Sequence, residues 1–172
     1  QRKVLPEFLK TLSPEQITYL QEQQAPSSKQ TTSCPFCLLV QKQLQGVVLY
    51  EDALLLAVLD IRPATKGHTL VVPKQHLADF PSLPVDCATR LFTVGQHLAG
   101  ILEELEGCEG VNLFMANGSV AGQVVDHVIL HVIPRYKDDG VTLTWQGKPT
   151  TPEALQQIYQ QLSKHLARLP SQ

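Results

Sequence analysis

Residues 127–135 read His-Val-Ile-Leu-His-Val-Ile-Pro-Arg, and this stretch limits the possible folds more than any other. As a helix it would set His127 and His131 on one face, able to share a single ion. Val128, Ile129, Val132 and Ile133 crowd it with β-branched side chains, which favour strand, and Pro134 is expected to end it. A strand over Val124 to Ile133 puts residues 127, 129, 131 and 133 on one face. At ~3.3 Å per residue, His127 and His131 then stand roughly 13 Å apart. They would serve two sites, with Ile129 between them. The competing reading is two core histidines whose ring nitrogens are satisfied.

Other strands surround this one. Gly46 to Tyr50 and Ala53 to Ile61 are aliphatic runs parted by Glu51-Asp52, a hairpin pattern. Thr69 to Val72 stops at Pro73, Val111 to Met115 is a fourth strand, and Thr142 to Trp145 suits a short extra one. Between them, Pro84 to about Glu106 has helical spacing, with Leu91, Val94, Leu98, Ile101, Leu102 and Leu105 on one face. Thr151-Pro152-Glu153 opens a last helix through about Leu169. Ser13-Pro14-Glu15-Gln16 opens another to about Gln24, followed by a polar linker through Ser33. The class is α+β: a five-stranded antiparallel sheet with helices packed on one face, plus an N-terminal helical arm. The division expected is an arm at 1–33, a domain at 34–146, and a C-terminal helix at 147–172 packed on or extending that domain.

Lys and Arg number 14 against 16 Asp and Glu, a net charge of −2. That balance argues against bulk nucleic-acid or polybasic membrane binding. The longest wholly apolar run, Ala53 to Leu59, is far short of the ~20 residues a membrane helix needs. No basic and then apolar leader pattern opens the chain, so a cytoplasmic location is expected. Of four cysteines, Cys87 and Cys108 read as structural thiols, whereas Cys34-Pro35-Phe36-Cys37 is a CxxC pair suited to metal or redox chemistry. The redox option needs a helix N-terminus after a strand, and Cys34 follows a polar linker instead. His97 and His165 lie in predicted helices and default to surface positions. Asn117-Gly118-Ser119 and Ala121-Gly122, ending in Gln123, form a small-residue loop whose backbone amides are able to converge on an anion.

Ala121-Gly122-Gln123, His127 and Ile133-Pro134-Arg135 together resemble the signature of the histidine triad (HIT) family. So does Asp60 to His76, reading DIRPATKGHTLVVPKQH, and with the CxxC the resemblance spans about residues 34–140. It implies a homodimer that binds a nucleoside mono- or polyphosphate, often purine, and hydrolyses or transfers it. In such a triad the middle histidine attacks the α-phosphorus. Here that position is Ile129, which has no lone pair, so covalent catalysis is expected to be absent or very weak. Ala116 replaces an asparagine that many relatives carry, removing one polar contact near the ribose-phosphate. By resemblance Asp60 accepts both ribose hydroxyls, and Ile61 and Val58 flank the base. Asn117, Gly118, Ser119 and Gln123 cradle phosphate, His131 donates to a nonbridging oxygen, and His68 supports the network. His131 is also expected to be charge-tunable near neutral pH, which suits an anion.

The same resemblance places Cys34, Cys37, His76 and His127 at positions where some family members hold zinc. Two thiolates and two imidazoles suit tetrahedral Zn²⁺, and four protein ligands would make it structural. Free or redox-active cysteines are the alternative. Three functions follow. The leading one is a nucleotide-binding protein without its covalent nucleophile. The others are a hydrolase in which His131 activates water, and a zinc-stabilised dimeric scaffold that binds a partner protein.

Overall fold

The computed structural model describes residues 34–143, 147–166 and 168. The helix expected from Ser13, the linker to Ser33 and part of the segment from Thr142 to Trp145 lie outside these residues. The elements in order are α1 (Pro35–Val40), β1 (Val48–Glu51), β2 (Leu55–Leu59), β3 (Thr69–Pro73), α2 (Val85–Leu102), β4 (Cys108–Phe114), β5 (Leu130–Tyr136) and α3 (Pro152–Leu166). Short 3₁₀ turns cover Phe80–Ser82 and Ser119–Ala121.

Among the described residues five strands form one antiparallel sheet in the order β1-β2-β3-β5-β4. The α+β class with a five-stranded antiparallel sheet is therefore as expected. β3 is buried along its whole length and β2 along all but its last residue, which is why both read as unbroken apolar runs rather than alternating ones. Leu55 and Ala57 pack with α2 through Leu91, Val94 and Leu98 on one face. Leu56 and Val58, the alternate residues, pack with Phe36 of α1 on the other. The sequence reading did not anticipate α1. The β1–β2 turn is drawn tight by Asp52, whose carboxylate accepts the N–H groups of Leu54 and Leu55 at 2.8 Å each.

The histidine strand begins later than its composition suggests. β5 starts at Leu130, not Val124, and continues through Pro134 to Tyr136. Val124 to Ile129 is irregular, held by backbone bonds such as Val128 N–H to the Leu77 carbonyl at 2.7 Å. Pro134 is tolerated because pairing with β3 ends at Val132, leaving β4 as the only neighbour there. Thr142 and Leu143 form no strand.

The described residues through Val141 form one compact unit, and those from Thr142 form a second. In the second, Thr151 Oγ1 accepts the Ala154 N–H at the start of α3. Leu155, Ile158, Tyr159 and Leu162 make an exposed apolar stripe along that helix. No helix among the described residues is long and apolar enough to cross a membrane.

Candidate functional site

On the α1 side of the sheet lies a cavity of about 540 Å³. Val58, Asp60 and Ile61 reach it from the end of β2, Ile129 and His131 from β5 and its approach, and Phe36 and Leu39 from α1. The register sets His131 opposite Leu70 of β3 and Phe114 of β4, so the imidazole rises from an inner strand of the sheet. Its ring lies 5.9 Å from that of Phe114.

Asp60, His68 and His131 form a compact group. His68 Nε2 is 3.0 Å from His131 Nδ1. His68 Nδ1 accepts the Ala64 N–H at 3.1 Å, so in the neutral ring the proton sits on Nε2 and is donated to His131. His131 Nδ1 is then the acceptor, and Nε2–H is its remaining polar group. Asp60 Oδ2 lies 3.4 Å from His68 Nδ1, while Oδ1 accepts the Arg62 N–H at 2.8 Å. Since the Ala64 amide already occupies that nitrogen, the Asp60–His68 approach is no hydrogen bond in the neutral ring, and it would become attractive only on protonation of His68. Burial, and then the neighbouring His68, push His131 down to about 4 against the pull of Asp60. Burial also lowers His68, opposed by Asp60. The expectation of a charge-tunable His131 is corrected: near neutral pH it is an uncharged N–H donor.

The small-residue loop does not stand open. Gln123 Oε1 accepts the Gly118 N–H at 2.7 Å, and Nε2 donates to the carbonyls of Ala78 (2.6 Å) and Val125 (3.0 Å). The amides of Ala121, Gly122 and Gln123 also bond inside the loop. Asn117 Oδ1 accepts the Phe80 N–H at 2.9 Å. Gln123 lines the cavity, but Asn117, Gly118 and Ser119 do not. The cradle expected of them is here a loop closed on itself by the Gln123 amide.

Cys34, Cys37, His76 and His127 meet at the other end of the irregular approach to β5, with all four ligand atoms within 4.8 Å of one another. Cys34 Sγ to His127 Nδ1 and Cys37 Sγ to His76 Nδ1 are both 3.3 Å. Tetrahedral zinc with ordinary bond lengths separates sulfur from nitrogen by roughly 3.6 Å. His127 Nε2 donates to the Pro73 carbonyl at 2.9 Å, which fixes the tautomer and leaves Nδ1 as a lone pair facing Cys34. Burial lowers the His127 pKa, keeping that ring neutral. The donor set thus fits a thiophilic dication. Cys34 is the N-cap of α1, so the helix start that redox chemistry requires is present after all. Burial nevertheless raises its thiol to about 11, opposite to an activated redox cysteine.

His127 and His131 thus fall in two separate side-chain groups, and His127 precedes the strand instead of sharing its face. Phe36, Leu39 and Leu44 also line the cavity, and sequence reasoning missed them. The signal was available in Pro35, whose fixed φ suits the first turn of a helix. Cys87 is buried against the core, and exposed His97 lies 2.8 Å from the Thr93 carbonyl one turn back.

Comparison with known proteins agrees with this geometry. The HIT domain family model matches residues 41–138. The chain is 38% identical over 136 residues to "Adenosine 5'-monophosphoramidase hnt1" of Schizosaccharomyces pombe, covering 78% of this chain and 98% of that one. A crystal structure of a histidine triad nucleotide-binding protein from Candida albicans superposes with a TM-score of 0.72 at 31% identity, over 80% of this chain and all of that one (100%). A Zn-bound histidine triad family protein from Mycobacterium smegmatis gives a TM-score of 0.60 at 34% identity, over 80% and 98% of the two chains. With more than half of its length under that model and its sheet, cavity and paired clusters in place, the chain is a member of the HIT family.

Proposed function

We propose that this chain binds a nucleoside phosphate, with a purine the favoured base, and lacks the covalent nucleophile that would process it. The observation that carries the reading is the lining of one cavity by Asp60, Ile129 and His131 together. Asp60 keeps lone pairs on both oxygens for the ribose hydroxyls. Val58, Ile61 and Phe36 offer apolar surface to the base, and His131 offers Nε2–H to a phosphate oxygen. Gln123 lines the cavity and ties down the loop of Asn117, Gly118 and Ser119 beside it in sequence. Ile129 has no lone pair to attack phosphorus and no proton to exchange. The hydrolase alternative needs His131 as a base, and the tautomer that leaves its free nitrogen protonated argues against that role.

Cys34, Cys37, His76 and His127 would hold zinc, which at four protein ligands supplies structure and not hydrolysis. The Zn-bound relative supports this assignment. A homodimer is supported by Phe92 and Ile101 of α2 and Leu113 of the edge strand β4, which are exposed apolar side chains. The chain divides into an arm at 1–33, a nucleotide-binding domain at 34–146 and a C-terminal helical segment at 147–172.

Titration calorimetry with adenosine monophosphate tests the reading. Saturable binding is expected, with 10- to 100-fold loss in His131→Ala, about the worth of one hydrogen bond to a charged group. Mass spectrometry after incubation with adenosine phosphoramidate is expected to show no nucleotidyl-protein. Absence of heat with every nucleoside monophosphate would sink the proposal.

A further inference from the structure

Helix α1 belongs to two sites at once. Phe36 and Leu39 form part of the cavity wall, while Cys34 at its N-cap and Cys37 within it supply half of the four-ligand cluster. His127 also lines the cavity and also belongs to the cluster. Local interactions alone do not hold this helix. Six residues are too few to be stable alone, its N-cap side chain makes no capping bond, and neither end carries a favourable charge. Its anchors are Phe36, only 7% exposed in the cluster with Val58 and Leu70, Leu39 and Val40 packed against that cluster, and the two 3.3 Å sulfur–nitrogen contacts.

Resting on the nucleotide reading of the cavity, we propose that metal loading of Cys34, Cys37, His76 and His127 fixes the α1 wall and thereby sets the cavity's affinity for its ligand. The four residues are positioning residues for the ligand as well as a staple for the fold. With a dication bound, α1 is tied to the residues after β3 and before β5, and Phe36 and Leu39 keep one position. Without it, apolar packing of Phe36 and the two sulfur–nitrogen contacts are left to hold the N-terminal end of the helix, and the wall must be ordered at the expense of binding free energy. Coupling of this kind is reciprocal, so the nucleotide must tighten the metal by the factor by which the metal tightens the nucleotide.

The test uses the full chain, zinc-loaded or stripped with EDTA, titrated with adenosine monophosphate in a calorimeter. Stripping is expected to weaken binding at least tenfold, with the far-ultraviolet circular dichroism kept and affinity restored by added zinc. Zinc transfer to a chromophoric chelator is expected to slow when adenosine monophosphate is present. Equal affinities in the two forms, or zinc transfer indifferent to the nucleotide, overturn the coupling. No binding to the zinc-loaded form overturns the nucleotide reading itself, and the coupling with it. Should stripping unfold the chain, Leu39→Ala decides, since this residue lines the cavity without being a ligand. It is expected to weaken nucleotide binding and speed zinc transfer together, and a change in only one overturns the proposal.

Discussion

Acid should weaken this fold through His131. Its imidazole titrates near 6.5 when unfolded and about 4 when folded, because burial and His68 disfavour the charged ring more than Asp60 favours it. Between these values the unfolded chain binds a proton that the folded chain refuses, so stability falls as pH falls. The contribution is fully present above pH 6.5 and is lost progressively toward pH 4. Integrating the linkage relation gives a loss of about 2 kcal/mol from pH 7 to pH 5, and about 3 kcal/mol by pH 4. Urea unfolding followed by circular dichroism reads this directly, since ~2 kcal/mol moves the midpoint by ~1 M at a common slope. The comparison is His131→Asn, whose amide oxygen is able to accept the His68 Nε2–H. The Cys/His cluster is common to both proteins, so the difference between their pH profiles isolates the exchange at residue 131. The wild type should lose about 2 kcal/mol more than the variant between pH 7 and pH 5. Parallel profiles would refute the claim that His131 is held neutral.

Gly67 has φ +88, and an added Cβ would come within 2.7 Å of Leu105 Cδ1. Gly67→Ala should therefore cost about 2 to 3 kcal/mol in urea unfolding, from backbone strain and overpacking together. Gln123→Ala hands the exposed Gly118 amide and Ala78 carbonyl to water, costs about 0.5 to 1.5 kcal/mol, and should speed protease cleavage within 117–123. Asp139 is held well below the usual carboxylate range, chiefly by Arg135, with Nε–Oδ2 at 2.7 Å and Nη2–Oδ1 at 2.9 Å. Its contribution is present above pH 4 and lost as pH drops further, so Asp139→Asn should flatten the stability profile below pH 4.

Much of this was legible from residue order, and the failures share a cause. β2 and β3 show as apolar runs because both of their faces are buried, and α2 shows because only one face is. The Cys/His cluster and the Asp60–His131 pair were found by motif, and the geometry gathers each into one group. The end of β5 was misjudged because Pro134 ends a strand only where a neighbour needs its N–H, and the pairing of β5 with β3 has already stopped at Val132. The role of Gln123 and the protonation of His131 depend on partners from Ala78 and His68, 45 and 63 residues away. No local pattern carries such information. The α1 wall was missed because a six-residue helix has too little periodicity to announce itself.

The strand order also dictates when the molecule can become functional. β5 is the last strand among the described residues, yet it lies between β3 and β4. Until residues 130–136 leave the ribosome and insert, the β1–β3 meander and β4 each keep an unpaired edge, a hazard for association with other nascent chains. Cys34 waits across 93 residues for His127, and His68 across 63 for His131. Closing such long loops is slow, so both clusters should be assembled in one late step, when the central gap of the sheet is filled.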